Sequence, residues 1–300
     1  MRTELTAMAE QCKRAAESST RDRATGRWPR KLCAVAWLCV LLVGCRGPSA
    51  NPSLPKRMAA QSDELRLMSD HRLPKNHPLI AELEELQKEV ATTLDLPQQT
   101  QQVVIYLFSD ETRYAQYLQS AYPQLPPRRA YFVGTAKELA VYAFWGEKIQ
   151  EDLRHEYTHG ILHASLKNVP LWLDEGLAEY FEVTEQPGWN GEYAAGIAKA
   201  VSEGWKPDID RLESLDTVSQ MQKWDYQESW AWVHFLLHAS PETRTLLLDY
   251  LNELRENPNP EALSVRLRRS IPTIDQRFQS YAAVLGSPVS PVAGRPAELR

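Results

Sequence analysis

His155-Glu156-Tyr157-Thr158-His159 lies inside Lys148–Leu166, a segment patterned as a helix rather than a strand. On a helix, residues four apart stand one turn above each other on the same face. Both imidazoles therefore aim at one spot, and Glu156, one step round the helix, flanks it. Two neutral nitrogen donors with a carboxylate placed to take a proton from water form the signature of metal-assisted hydrolysis, most often with zinc. All four cysteines, Cys12, Cys33, Cys39 and Cys45, fall in the first 45 residues. Beyond them a metal can be held only by His, Asp or Glu.

The same stretch divides the chain. Before it come His77–Leu94, amphipathic through Leu79, Leu83, Leu86 and Val90, and the β-branched and aromatic run Val103–Phe108. A helix over Asp110–Ala121 and strands over Arg129–Val133 and Glu138–Trp145 follow. After it the pattern is helical: a second motif helix, a looser region from Gln186 to Thr217, then Tyr226–His238, Glu242–Arg255, Asn259–Arg269 and Thr273–Leu285. Strands first and helices second predict an α+β domain over 77–285, with a small mixed or antiparallel sheet N-terminal to a mostly helical part.

The N-terminus reads as a targeting segment. A basic leader, 1–31, ends in Arg27, Arg30 and Lys31; Leu32–Gly44 is then an apolar run too short to span a membrane but the right length for a signal-peptide core. It closes on Leu42-Val43-Gly44-Cys45, which resembles a bacterial lipobox, so 32–45 is expected to direct lipidation of Cys45 and anchoring in the cell envelope. No methionine lies between Met8 and Met58, so a non-ATG start near Arg27 is an option. Residues 46–76, opening with a Pro/Ser-rich stretch, are expected to form a flexible tether, and 286–300 a disordered tail. Residues 1–44 carry eight Lys/Arg against four Asp/Glu, leaving −9 on the remainder of a chain of net charge −5. An acidic body excludes nucleic acid as the partner, and Arg266, Arg268 and Arg269 read as a solvated helix end.

A metal site needs a third protein ligand. Lys167-Asn168-Val169-Pro170 breaks the first motif helix, and Leu171-Trp172-Leu173-Asp174-Glu175-Gly176-Leu177-Ala178-Glu179-Tyr180-Phe181 starts another. A short turn folds it back antiparallel and brings a carboxylate to the histidines; Glu175 and Glu179, four apart, share a face. Two histidines and one glutamate with an open position make a catalytic zinc shell. His163 is one turn too far along to reach the same ion, His71 and His77 lack partner spacing, and His234 and His238 have no acid between them.

The pairing of His155-Glu156-Tyr157-Thr158-His159 with Trp172-Leu173-Asp174-Glu175-Gly176-Leu177-Ala178 resembles the gluzincin clan of zinc metallopeptidases, which includes thermolysin and aminopeptidase N. It looks closest to bacterial domain families of that clan whose substrates are mostly unassigned, over about Pro78–Leu285. The resemblance implies a zincin-like domain with His155, His159 and Glu175 as zinc ligands and Glu156 as general base. Glu179 corresponds to a carboxylate that orients a ligand imidazole, with Asp174 competing for that task. Tyr226 resembles the downstream tyrosine that stabilises the tetrahedral intermediate, with His234 as the alternative. In this clan an edge strand above the motif helix pairs with an extended peptide, and Leu139–Trp145 occupies that place. The expectation is a zinc-dependent peptidase tethered to the envelope, an endopeptidase in preference to an exopeptidase. The alternatives are a metal-binding lipoprotein without turnover, serving as an assembly module, and a peptidoglycan amide hydrolase.

Overall fold

Alternating apolar runs collapse into one five-stranded mixed sheet in the computed structural model, which describes residues 53–183 and 188–286. Its strands are β1 (Arg57–Gln61), β2 (Leu65–Ser69), β3 (Val103–Phe108), β4 (Ala130–Gly134) and β5 (Leu139–Phe144), in the order β1-β2-β3-β5-β4. β2, β3 and β5 run parallel, while β1 and β4 are antiparallel to their neighbours. The leader, the lipobox with Cys45, the start of the tether and residues 287–300 lie outside the described residues.

Period-two alternation gives the sheet two apolar faces. Val103, Ile105 and Leu107 of β3 and Leu139, Val141 and Ala143 of β5 face the main core. There they meet Leu79, Leu83, Leu86 and Val90 of α1 (Pro78–Thr93) and Leu153, Tyr157 and Ile161 of α3 (Ile149–Ser165). Phe108, Ala140 and Tyr142 point the other way, onto Tyr114 and Leu118 of α2 (Glu111–Ala121). Gly160 lets α3 lie flush on the sheet: a Cβ there would sit 2.8 Å from Val103 Cγ1.

The remainder is helical: α4 (Leu171–Glu182), α5 (Gly191–Ser202), α6 (Ile209–Glu213), α7 (Lys223–His238), α8 (Pro241–Leu254), α9 (Leu263–Ser270) and α10 (Ile274–Val284). Every residue of α4 from Leu171 to Phe181 is buried, because the helix is enclosed by α3 and α7. A helix apolar on all sides belongs in the core, and here it carries three carboxylates with it.

The α+β architecture agrees with the sequence, but three expectations need correction. The tether does not extend to residue 76, since β1 and β2 lie within 46–76 and form part of the sheet; the folded unit therefore begins before 77. Leu139–Trp145 is not an edge strand: β5 is hydrogen-bonded to β3 on one side and β4 on the other. The free edge on that side belongs to β4. The loose region 186–217 contains two helices, α5 and α6.

Candidate metal centre

One turn of α3 stacks His155 and His159 with their ring centres 5.0 Å apart. The five residues 166–170 return the chain, and α4 brings Glu175 against both rings. Its Oε2 lies 3.5 Å from His155 Nε2 and 3.7 Å from His159 Nε2, and a donor atom from each of the three residues falls within 4.8 Å of the others. Bonds of about 2.1 Å in a tetrahedral zinc site put ligand atoms roughly 3.4 Å apart. The three donors are therefore spaced as one ion would hold them, and two imidazoles with a carboxylate suit zinc better than calcium or magnesium.

The outer nitrogen of each ring also meets a carboxylate. His155 Nδ1 is 2.9 Å from Glu182 Oε2, and His159 Nδ1 is 3.0 Å from Asp174 Oδ1. The second contact lies off a hydrogen-bond line, and neither buried atom has another hydrogen-bond partner among the described residues. The other oxygen of Asp174, Oδ2, is 3.0 Å from His163 Nε2. An ionised carboxylate can only accept, so the Nδ1 of His155, hydrogen-bonded to Glu182, carries a proton and its Nε2 keeps the lone pair for a metal. The contacts run 163 and 159 with 174, 159 and 155 with 175, and 155 with 182, which shows α3 and α4 to be antiparallel.

Glu179 does not take the orienting role expected of it. It lies near His155 and Glu182, with donor atoms within 4.8 Å, but the outer nitrogen of His155 is hydrogen-bonded to Glu182 instead. Asp174 lies against Nδ1 of His159, and Glu182 is hydrogen-bonded to Nδ1 of His155. Glu182 went unrecognised in the sequence, although Glu175, Glu179 and Glu182 follow the i, i+4, i+7 spacing of one helix face.

Five carboxylates around these rings set the electrostatics. Burial alone would lower both imidazoles, but the bonds from Glu175 and Glu182 hold His155 well above its ordinary value. Asp174, with Glu175 behind it, raises His159 to about 9. Burial pushes Glu179 up to about 7, with the positive charge of His155 opposing. Without a bound cation, this negatively charged cage would hold protons on its imidazoles. His159, raised above its unfolded value, stabilises the metal-free fold fully below about pH 6.5, and that contribution is lost as pH rises through about 9. Metal needs the unprotonated ring, so the gain in melting temperature with zinc over chelator should grow between about pH 6 and about pH 8. A gain that is flat or shrinks over that range contradicts this.

Tyr226 stands in the first turns of α7, half-buried and in the electrostatic field of Glu175 and His155. Burial, then Glu175, raise its hydroxyl above the ordinary tyrosine value, so it remains a proton donor at neutral pH. His234 lies two turns further on, 1% exposed, with Nδ1 2.9 Å from the Tyr281 hydroxyl and its ring among Trp189, Trp230 and His238. Its ring is thus engaged in packing and in the hydrogen bond with Tyr281. Arg128, which the sequence did not single out, stands beside Tyr226.

Gly176 brings α7 into place. A Cβ there would lie 2.7 Å from the Ser229 carbonyl oxygen, so only glycine allows the two backbones this close. Gly176→Ala should push α7, and Tyr226 with it, away from Glu175, and destabilise the fold by about 1–3 kcal/mol in chemical denaturation. Wild-type stability for this variant would mean that the helices are not in such contact.

Glu156 flanks the ligands and accepts a hydrogen bond from the Phe132 N–H, on the free edge of β4, at 2.6 Å. No protein-family model matches the chain, and none of the curated proteins matches it either. The functional reading therefore rests on this geometry and on the residues that compose it.

Proposed function

We propose that the chain is a zinc-dependent peptidase, with His155, His159 and Glu175 holding the metal and Glu156 acting as general base. The observation that carries this is the convergence of the three donors on one point, with each ring nitrogen behind them facing a carboxylate. Bound zinc would supply Lewis acidity to a water and to the substrate carbonyl. The protein does the rest. Glu156 takes a proton from the attacking water and returns it to the leaving nitrogen. Tyr226 donates a hydrogen bond to the carbonyl oxygen as negative charge gathers there. The free edge of β4, rather than 139–145, offers main-chain pairing for an extended peptide level with Glu156. Tyr226→Phe should retain metal and reduce kcat by about 10²–10³-fold in a peptide-cleavage assay; an unchanged kcat would remove Tyr226 from the mechanism.

A second reading, a metal-binding protein without turnover, is favoured by one contact. The Phe132–Glu156 hydrogen bond gives the carboxylate a structural task, fastening the edge strand to α3. Comparing the peptides released from a cell-envelope proteome by wild type and by Glu156→Gln separates the two readings: cleavages present only with wild type support the peptidase, and identical patterns support the binding protein.

The setting we propose is the bacterial cell envelope, with the lipid anchor at Cys45; this rests on the sequence of 32–45. Among the described residues no helix is long and apolar enough to cross a membrane.

A further inference from the structure

Arg128 closes the loop that leads into β4, and it is exposed. Its guanidinium carbon stands 5.8 Å from the centre of the Tyr131 ring, beside the Tyr226 hydroxyl and in the field of Glu175. Arg129, next to it, is committed to the fold through ion pairs with Asp152 at 2.7 Å and Glu151 at 3.1 Å. Among the described residues Arg128 has no such acid; its neighbours are a ring and a hydroxyl. A guanidinium held over an aromatic face, beside a hydroxyl and without an acid in ion-pair contact, has the chemistry to receive a carboxylate.

We propose that Arg128 receives the C-terminal carboxylate of a peptide substrate, so that the site removes short C-terminal fragments. The inference rests on the peptidase reading above, and it also fixes the direction in which the substrate lies. A peptide added to the outer edge of β4 presents one of its ends to Arg128. An N-terminal ammonium would be repelled there, and a C-terminal carboxylate is drawn in, so the peptide runs antiparallel to β4. Glu156 is level with Phe132, four residues along the strand from Arg128, or about 13 Å at about 3.3 Å per residue. The arginine side chain reaches back over part of that distance, which leaves room for about one to three residues beyond the cleaved bond. In the reaction the water oxygen bonds to the carbonyl carbon and the C–N bond breaks. Both water protons end on the leaving nitrogen, the first carried there by Glu156, giving a new carboxylate and a short peptide or amino acid with a protonated amine.

The test uses two mixtures of N-acetylated hexapeptides, one ending in a free carboxylate and one in a carboxamide, with the full zinc-loaded chain. The free acids should be cleaved with kcat/KM at least about tenfold above the amides. Arg128→Ala should bring that ratio close to one by slowing the acids much more than the amides, and Arg128→Lys should keep part of it. Equal cleavage of acids and amides by wild type, or an equal loss on both in Arg128→Ala, overturns the proposal while leaving the peptidase reading intact. If neither mixture is cleaved, retention on immobilised Glu156→Gln protein decides. Carboxylate-dependent retention that is lost when Arg128→Ala is added upholds the receptor although the hydrolytic reading fails. Retention indifferent to the peptide terminus overturns the receptor as well.

Discussion

Glu156→Gln is expected to leave zinc content and folding unchanged and to lower peptide hydrolysis by about 10²–10⁴-fold, the range for loss of a general base. The structure makes this substitution unusually clean. The carboxamide oxygen of glutamine can still accept the Phe132 N–H that Glu156 accepts at 2.6 Å, so β4 stays fastened to α3. What disappears is the capacity to take a proton. A structural role alone would survive the change, which is why this variant, and not an alanine, is informative. Steady-state cleavage of the same peptides by wild type and variant, with metal content measured on both, reads the result. A variant that cleaves like wild type would leave the binding-protein reading in possession.

The second large effect concerns the ligands and the acids behind them. His155→Ala and Glu175→Ala each remove one of three donors and should weaken zinc binding by more than 10²-fold. Asp174→Asn and Glu182→Gln disturb only the orientation and basicity of His159 and His155, and should each cost about 10–100-fold. Glu179→Gln, at a carboxylate that is not hydrogen-bonded to a ring nitrogen, should cost less than either. Competition titration with a chromophoric chelator gives the order. If Glu179→Gln proved worse than Glu182→Gln, the assignment of the carboxylate behind His155 would be wrong.

How much of this the sequence showed follows from which interactions are local. His155, Glu156 and His159 are fixed to one another by a single helical turn, so spacing brought them together; the next helix offered Glu175 and Glu179 on one face, and the resemblance of Trp172–Ala178 to a gluzincin motif singled out Glu175. The α+β division was legible for the same reason, since period-two and period-3.6 patterns are written in short windows. The order of the strands was not. β5 lies between β3 and β4 because its two neighbours pair with it across long range, and nothing within Leu139–Phe144 marks it as interior rather than edge. β1 and β2 were hidden by their shortness and by the Pro/Ser-rich stretch before them, and only the parallel pairing of β2 with β3 recruits them to the sheet. Glu182 had a readable signal in its spacing from Glu175. Arg128 had none, because its meaning comes from Tyr226, which is 98 positions away in the chain.

Gly176 shows the same distinction in one residue. Its place after Glu175 belongs to the motif, whereas the reason for it, the Ser229 carbonyl at 2.7 Å from where a Cβ would be, belongs to packing. The motif helix, the buried second helix and α7 thus pack as one unit: in the proposed site the first would give two ligands and the base, the second the third ligand and the acids behind the rings, and the third Tyr226.

The most direct test of the metal centre is the zinc content of the purified full chain, measured by inductively coupled plasma mass spectrometry beside His155→Ala and Glu175→Ala. About one zinc per chain is expected in wild type and close to none in either variant. A wild-type chain that takes up no zinc, or variants that retain it in full, would contradict this.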